Sequence, residues 1–323
     1  MIILAGDIGG TKTLLGLFEA APRRPATIEV RRYDTRPETS IDAIVDQFLR
    51  DCSRDSPVSY AVFGVAGPVR NNQAQLTNQP WLIDGPSLER TLRAPVTLLN
   101  DVQSLAYALD ALSRDELVTI RDVPDVPDGV RAVIAVGTGL GEAQLVRAEG
   151  RAVACPSESG HADFAPRTPA EDTLVGRLRQ RHGRATVEHV LSGPGLVMLH
   201  HLTHEGRPCA VTTQAEEADL PAITRAGLDG RCEGCAAALD MFVSALGSEA
   251  GNVALRTLAT GGLFIGGGIP PHMLPLLHTA AFADAFLDKP PMRAVLDRIP
   301  VHVITNPEAG LLGAAAAGNR HLR

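Results

Sequence analysis

Three short apolar runs in this chain each lead into a glycine-rich turn, and this recurrence constrains the possible folds more than any other feature. The runs cover residues 2–4, 130–136 and 263–265. A short apolar run bounded by turn residues is typical of a buried strand. Glycine lets the backbone turn sharply and bring its N–H groups close to a ligand. The pattern therefore predicts an α/β protein with ligand-facing turns at the ends of its strands.

The succession of strand, glycine turn and strand occurs twice, over residues 2–18 and again over 130–146. We interpret it as two half-molecules of one design, each presenting a glycine hairpin to a shared cleft. The length of 323 residues fits this interpretation, because a single core usually stops growing near about 250 to 300 residues. The chain is therefore expected to form two domains.

Apolar periodicity predicts the remaining elements. Further strands are expected at 14–18, 27–33, 60–65, 96–99, 142–146 and 301–304. Helices are expected at 41–52, 169–182, 187–191, 195–204, 235–258 and 309–317. Several strands are followed directly by polar residues, and that edge of an open α/β sheet is where ligands bind.

Charge and composition exclude several classes of protein. The chain has 30 Lys and Arg against 37 Asp and Glu, a formal charge of −7, and no basic helix face is predicted, which argues against a nucleic-acid partner. The sequence contains no uninterrupted apolar stretch of about 18 residues, the length needed to span a membrane. Residues 1–4 are predicted to form a strand and not a signal peptide. We expect a soluble, cytoplasmic protein. Five cysteines, an odd and sparse number, do not suggest a disulfide framework.

The first turn, residues 6–12 (Gly-Asp-Ile-Gly-Gly-Thr-Lys), matches neither the Walker loop nor the dinucleotide fingerprint. Its backbone could face phosphate oxygens, Lys12 offers an amine, and the strand-end carboxylate of Asp7 could hold a hydrated divalent cation. A hairpin turn that needs glycine explains the segment by itself equally well. The turn at 137–141 could likewise face a phosphate, with backbone N–H groups and a threonine hydroxyl. The glycines at 261–262 and 266–268 would let the backbone approach a flat ligand closely. Three glycine turns after three buried strands are a more specific signal than any one of them.

Asn100 and Asp101 close a predicted strand. An aspartate there could act as a general base on an alcohol while the asparagine orients it, and phosphoryl transfer asks little more of a protein. The alternative is a turn or N-cap for the helix that begins near Val102. The sequence leaves both uses open.

Residues 158–163 place two carboxylates and an imidazole on one loop: Glu158, His161 and Asp163. Several directional acceptors on a rigid loop suit a polyhydroxyl ligand. Glu188 could add another acceptor, although the residues alone favour a solvated carboxylate on a helix surface.

These segments, in order along almost the whole chain, resemble the bacterial ATP-dependent glucokinases of the hexokinase and actin-like sugar kinase superfamily. The resemblance rests on residues 6–11 (GDIGGT), 99–101 (LND), 137–141 (GTGLG), 158–166 (ESGHADFAP), 191–196 (LSGPGL) and 310–313 (GLLG). The glycine turns indicate only the superfamily. The segments 161–166 and 191–196 narrow the resemblance to the glucokinases.

The resemblance implies a two-domain α/β fold of the actin and hexokinase (ribonuclease H-like) type, with a ligand cleft between the domains. It implies a small domain of residues 1–110 plus 301–323 and a large domain of residues 111–300. The implied activity transfers the γ-phosphoryl of Mg-ATP to the 6-hydroxyl of D-glucose. It also suggests a homodimer.

Carried over position by position, the resemblance assigns roles to individual residues. Asp101 is implied as the catalytic base. The implied sugar ligands are Asn100, Asp101, Glu158, His161 and Glu188, which reverses the expectation for Glu188. The implied nucleotide-binding residues are Gly6, Asp7, Ile8, Gly9, Gly10, Thr11, Gly137, Thr138, Gly139, Gly267 and Gly268, with Asp7 near Mg²⁺, directly or through water. Ser159 departs from the glycine usual in the family. Its hydroxymethyl group could stiffen the loop or crowd the sugar, and either effect would change the affinity for the sugar.

Two other functional classes compete with a glucokinase. A glucose-sensing regulator without kinase activity would need a DNA-binding module, whereas the first residues here already form a strand. An ATP-driven protein of the actin or chaperone type would not need the polar loop at 158–163. A kinase of another hexose also stays open.

Two further patterns are compatible with a metal site, but for both we favour the interpretation without a metal. Cys232 and Cys235 form one C-x-x-C pair without a second, which favours ordinary reduced cysteines. His200, His201 and His204 have a spacing that permits metal binding but equally suits the end of a helix.

Overall fold

The computed structural model describes residues 1–35, 40–52, 57–76, 81–148, 150–209 and 219–322. The strands are β1 Ile2–Ile8, β2 Lys12–Glu19, β3 Ala26–Asp34, β4 Tyr60–Val65, β5 Val69–Arg70, β6 Gln73–Gln75, β7 Leu82–Asp84, β8 Val96–Asn100, β9 Leu117–Arg121, β10 Arg131–Val136, β11 Leu140–Ala148, β12 Arg151–Ser157, β13 Leu263–Gly266 and β14 Val301–Ile304. The helices are α1 Ile41–Asp51, α2 Gly85–Leu92, α3 Asp101–Ala108, α4 Pro169–His182, α5 Val187–Val190, α6 Gly193–His204, α7 Leu220–Leu228, α8 Glu233–Thr257, α9 Leu274–Leu277, α10 Ala280–Leu287, α11 Arg293–Leu296 and α12 Ala309–His321.

The first sheet has the order β3-β2-β1-β4-β8. Its first three strands form an antiparallel meander, while β4 and β8 run parallel to β1. One face carries a core that includes Phe48 of α1 and Phe63 of β4. The other face packs against α12 through residues such as Leu311. The predicted meander is confirmed, and β4 has the predicted bounds.

Helix α1 shows why the local sequence forms this element. The Ser40 side chain accepts a hydrogen bond from the Ala43 N–H and so caps the helix. Ile41, Ile44, Val45 and Phe48 recur at helical spacing and are all buried. The structure ends the helix at Asp51, one residue before the predicted end.

The second sheet has the order β12-β11-β10-β13-β14-β9. Strands β10, β13 and β14 run parallel and in register, so their carboxyl ends lie at one edge. The 25-residue helix α8 packs in the core on this sheet, with Phe242 and Leu246 buried. Gly247 allows a close helix contact, because a Cβ there would lie 2.4 Å from the Phe282 carbonyl oxygen of α10.

The short elements were not predicted. They include a three-stranded sheet of order β5-β6-β7, and the helices α2, α7, α9, α10 and α11. The strands of this sheet and the helices α9 and α11 have two to four residues, too few to show a periodicity. The helices α2, α7 and α10 have eight or nine residues, only about two turns. Among the described residues, no helix is both long and apolar enough to cross a bilayer.

The chain divides into two compact units. Unit 1 comprises Met1–Leu117, Ala143–Pro156 and Asn306–Arg323, and unit 2 comprises Val118–Glu142 and Ser157–Thr305. Like the expected small domain, unit 1 combines the first and last segments of the chain, but it also includes residues 143–156. The functional domain boundaries 1–110 plus 301–323 and 111–300 stay a prediction.

Candidate active site

In unit 1, the strand register places Asp7 and Asn100 at the same edge of the first sheet. Ile8 is paired with Val65, and Val65 with Asn100, across two parallel ladders. Strands lie about 4.8 Å apart, so the ends of β1 and β8 are separated by about 10 Å. The structure therefore brings the first glycine turn and the Asn100-Asp101 pair to one side of unit 1.

Of the two uses that the sequence left open for residues 100 and 101, the structure shows the helix cap, and it is made by Asn100. The general-base role of Asp101 stays a prediction. Asn100 is the N-cap of α3, since its Oδ1 accepts hydrogen bonds from the N–H groups of Val102 at 3.0 Å and Gln103 at 3.2 Å. Its Nδ2 donates to the Gly67 carbonyl at 3.3 Å. Asp101 is the first residue of α3, and its Oδ1 accepts from the Val102 N–H at 2.8 Å. Asn100, not Asp101, therefore caps the helix.

The first glycine turn is held by Thr35, a residue that sequence reasoning missed. The Gly9 N–H donates to the Lys12 carbonyl at 3.0 Å and closes the turn. The Thr35 hydroxyl donates to the Gly9 carbonyl at 3.0 Å, and its N–H donates to the Thr11 carbonyl at 3.0 Å. The only signal for this role is complete burial of a polar side chain, which the sequence does not display.

Gly6 and Ile8 face the core of unit 1. Both lie within β1 and are buried. A Cβ on Gly6 would lie 2.4 Å from the Phe63 ring, so this glycine permits close packing inside the sheet. Of the predicted nucleotide-binding residues in this segment, the half-buried or exposed ones are Asp7, Gly9, Gly10 and Thr11.

Asp7 is half-buried at the end of β1. Burial raises the pKa of its carboxyl group, and the Lys12 ammonium opposes this effect. Gly310 of α12 lies against it, since a Cβ there would stand 3.1 Å from Asp7 Oδ2. The carboxylate oxygens are of the hard type that Mg²⁺ prefers, so Asp7 fits the role of an acidic group beside Mg²⁺.

In unit 2, the two remaining glycine turns lie at the ends of neighbouring strands. Ala135 of β10 pairs with Gly266 of β13, so the turns that follow are adjacent. Gly267 has a φ of +93° and approaches Val136 so closely that a Cβ would lie 2.2 Å from its carbonyl oxygen. The Gly193 N–H at the start of α6 donates to the Gly137 carbonyl at 2.8 Å. The structure thus brings together Gly137, Thr138, Gly139, Gly267 and Gly268.

Glu188 belongs to the same side of unit 2 and is bound to the glycine turn. Its Oε2 accepts a hydrogen bond from the Leu140 N–H at 2.9 Å. A Cβ on Gly139 would lie only 2.6 Å from the same oxygen. The expectation of a solvated surface carboxylate, drawn from the residues alone, is therefore wrong. Gly139 is glycine at this position because the carboxylate occupies the space of its side chain.

Three of the predicted sugar ligands converge in unit 2. His161 Nδ1 lies 3.9 Å from Glu188 Oε1, and His161 Nε2 lies 4.0 Å from Glu158 Oε2. These distances exceed hydrogen-bond length, so the polar atoms face one another without saturating their bonding capacity. Glu158 and His161 are largely exposed. Such an arrangement can accept and donate hydrogen bonds to the hydroxyls of a small ligand.

Local hydrogen bonds position this cluster. Thr186 caps α5, with its hydroxyl accepting from the His189 N–H at 3.4 Å. The Val187 N–H donates to the Ala162 carbonyl at 3.0 Å, which ties α5 to the turn that carries His161. Gly160 is packed under that turn, where a Cβ would lie 2.3 Å from the Leu140 carbonyl oxygen.

Ser159 uses its hydroxyl within the loop. Its Oγ lies 3.0 Å from Ser157 Oγ, and it hydrogen-bonds the buried Glu142 carboxyl group. Ser157 Oγ in turn donates to the Glu142 carbonyl at 3.1 Å. These hydrogen bonds hold the Ser159 side chain against the loop residue Ser157 and the buried Glu142. They agree with the expectation that the hydroxymethyl group stiffens the loop.

The chain is similar to known glucokinases along nearly its whole length. The family model described as Glucokinase matches residues 4–321. The curated glucokinase of Trichormus variabilis is 37% identical over 340 residues, covering 99% of each chain. The curated glucokinase of Mesorhizobium japonicum is 36% identical, covering 97% of this chain and 90% of the relative.

A solved glucokinase from an Antarctic psychrotroph superposes with a TM-score of 0.86 at 31% identity, covering 99% of both chains. The glucokinase of Balamuthia mandrillaris, solved with glucose, has a TM-score of 0.79 at 22% identity and supports the fold. The predicted α/β architecture of the actin-like sugar kinases is confirmed. Taken with the full-length family match, these similarities establish that the chain belongs to the glucokinase family.

Proposed function

We propose that this chain transfers the γ-phosphoryl group of ATP to the 6-hydroxyl of D-glucose, giving glucose 6-phosphate and ADP. Membership of the glucokinase family supports a hexose kinase over a sugar-sensing regulator. The observation that carries the mechanism is the position of Asp101, at the end of β8 and on the same sheet edge as Asp7.

Asp101 is the proposed general base. Its carboxylate takes the proton of the 6-hydroxyl as the oxygen attacks the γ-phosphorus. An oxygen–phosphorus bond forms, the bond from the γ-phosphorus to the bridging oxygen breaks, and ADP leaves with that electron pair. The proton then passes from Asp101 to solvent. The Val102 N–H donates a hydrogen bond to Asp101 Oδ1 at 2.8 Å. This bond supports the role of a base because it restrains the orientation of the carboxylate.

Asn100, Glu158, His161 and Glu188 are the proposed ligands of the other sugar hydroxyls. An amide oxygen has two lone pairs, and two helix N–H groups already occupy those of Asn100. We therefore infer that Asn100 contacts the sugar through Nδ2. Glu188 Oε2 accepts the hydrogen bond from the Leu140 N–H. We therefore infer that Oε1, which lies on the side of His161, accepts from a sugar hydroxyl.

The glycine turns at 9–11, 137–139 and 267–268 are the proposed nucleotide contacts, because turn N–H groups can approach phosphate oxygens closely. Asp7 is the proposed acidic partner of Mg²⁺, which arrives with the nucleotide and neutralises phosphate charge. A homodimer is proposed from the family resemblance, and light scattering of the purified chain tests it.

The proposed function is tested by a coupled assay for hexose 6-phosphate with Mg-ATP, comparing glucose, mannose, fructose and N-acetylated hexosamines. Asp101→Asn should retain glucose binding and lose about 10²- to 10⁴-fold in kcat. Asp42→Asn is the matched control, because Asp42 also lies in the first turn of a helix in unit 1. A near-normal rate in Asp101→Asn would remove the base assignment. Absence of turnover with every sugar would remove the proposed activity.

A further inference from the structure

A second polar cluster lies in unit 2, on elements that the proposed reaction does not use. The His/Cys cluster consists of His200 and His204 at the end of α6, Cys209 beyond it, and Cys235 in the first turn of α8. One ligand atom from each of the four residues lies within 4.8 Å of all the others. Three of the four residues are buried, and Cys209 is half-buried.

The sulfur spacing matches a tetrahedral metal site. Cys209 Sγ and Cys235 Sγ lie 3.7 Å apart. Two thiolates bound to one tetrahedral Zn²⁺ at about 2.3 Å must stand about 3.8 Å apart. A disulfide would instead require about 2.05 Å. The two thiols thus already have the separation of zinc ligands.

His200 provides an independent reason for a ligand at this position. The side chain is only 4% exposed. Neither ring nitrogen has a hydrogen-bond partner among the described residues. Buried polar nitrogens are nearly always satisfied, because an unpaired one costs the full desolvation energy of the group. A metal ion bound to one of these nitrogens would satisfy it.

His204 is held with a defined nitrogen pointing away from its own helix. Its Nδ1 lies 2.7 Å from the His200 carbonyl oxygen, which can only accept, so Nδ1 carries the hydrogen and the lone pair is on Nε2. Metal-binding histidines are commonly oriented by such a bond from the second nitrogen. Nε2 lies 3.3 Å from Cys232 Sγ, on the side of α8.

Gly234 supplies the room for this imidazole. A Cβ at position 234 would lie 2.6 to 2.9 Å from three atoms of the His204 ring. The Thr203 hydroxyl donates to the Gly234 carbonyl at 2.7 Å, which fixes the end of α6 against the start of α8. Cys235 follows Gly234 directly and is in the first turn of the 25-residue helix α8.

We propose that His200, His204, Cys209 and Cys235 bind one zinc ion that fastens the end of α6 to the start of α8. Two thiolates and two imidazoles form a complete tetrahedral set typical of structural zinc. Binding of Zn²⁺ releases the two thiol protons to solvent, so charge and atoms balance. His200 and His204 lie 7 and 11 residues beyond Gly193, which contacts the glycine turn. About 10 Å and about 16 Å of helix therefore separate them from that turn. The zinc is therefore structural.

The primary test measures zinc in untagged, purified protein by elemental mass spectrometry. We expect one zinc per chain in the wild type, and a loss of at least about fivefold in Cys209→Ser, Cys235→Ser and His204→Gln. Cys155→Ser and His201→Gln are the matched controls and should keep the metal. Cys155 is in unit 1, whereas His201 is a neighbour on α6 that does not belong to the cluster.

A second test uses only the wild-type chain, so it does not depend on the folding of a variant. Metal-free protein should bind Co²⁺ with thiolate-to-cobalt absorption and the visible bands of a tetrahedral ion, and Zn²⁺ should displace it. Removal of zinc by a chelator should lower Tm by at least about 5 °C. The proposal is overturned by a metal-free chain that takes up neither ion. A Cys209–Cys235 disulfide, or zinc that persists in Cys235→Ser, would also overturn it.

Discussion

The Glu188 carboxylate accepts a hydrogen bond from the Leu140 N–H at 2.9 Å, although 48 residues separate them in the chain. This bond joins α5 to the glycine turn that follows β10. A proposed sugar ligand and a proposed nucleotide turn of unit 2 are therefore joined directly, and substitutions at either should affect both.

Removal of the Glu188 side chain should weaken catalysis more than neutralisation of its charge. Glutamine keeps an oxygen that can accept from Leu140, whereas alanine leaves that N–H unpaired. We expect kcat/KM for glucose to fall about 10- to 100-fold in Glu188→Ala and less in Glu188→Gln. Steady-state kinetics with both substrates measures this. Glu19→Ala, at an exposed strand end, is the control. Equal losses in the two Glu188 variants would contradict a role for the bond.

Gly139→Ala should displace the Glu188 carboxylate without unfolding the protein. The new Cβ would lie 2.6 Å from Oε2, at the far end of a flexible side chain that can rotate away. We expect a raised KM for glucose with Tm nearly unchanged. Gly176→Ala is the control, because its Cβ meets nothing within 4 Å. An unchanged KM in Gly139→Ala would show that Glu188 need not occupy its present position.

Gly267→Ala should destabilise unit 2 by more than backbone strain alone. Its Cβ would meet the Val136 carbonyl oxygen at 2.2 Å, and its φ is +93°. Gly183→Ala separates the two effects, since Gly183 has a φ of +76° with nothing within 4 Å. We expect about 1 kcal/mol of lost stability at Gly183 and at least about 2 kcal/mol at Gly267. Urea unfolding measures both. Equal losses would argue against the steric clash.

The buried Glu142 should make stability depend on pH. Burial, followed by the neighbouring Glu249 carboxylate, raises the pKa of Glu142 from 4.5 to about 7, and Arg256 opposes this effect. Between these values the folded chain holds a proton that the unfolded chain has lost. The contribution of Glu142 to the free energy of unfolding should therefore be complete below pH 4.5. It should be lost as pH rises to about 7, by up to about 3 kcal/mol.

Glu142→Gln should lack this part of the pH dependence, because the amide stays neutral. Urea unfolding of the wild type and of Glu142→Gln at pH 5, 6, 7 and 8 isolates the contribution of Glu142 to stability, because the two proteins share all other titrating groups. Asp240→Asn, an exposed change on α8, is the control. Parallel stability curves for the wild type and Glu142→Gln would rule out a raised pKa at Glu142.

Much of the fold followed from local patterns. β4, α4 and β14 have the predicted bounds, because turn residues and caps next to each apolar run mark where an element starts and stops. The strand-end position of Asn100 and Asp101 was also predictable. Which of the two caps α3 was not, because that depends on side-chain direction.

The sequence by itself determined the α/β elements, the glycine turns at their strand ends and, through its ordered motifs, the resemblance to glucokinases. Only the tertiary structure decided which distant side chains meet. Spacing alone favoured ordinary thiols at Cys232 and Cys235, whereas folding brings Cys235 to 3.7 Å from Cys209 and beside two buried histidines. Folding likewise places the Glu188 carboxylate against the glycine turn, whereas the local sequence favoured a solvated position on a helix surface. Periodicity and capping act over a few residues, but these contacts arise when helices and strands far apart in the chain pack to bury their apolar faces.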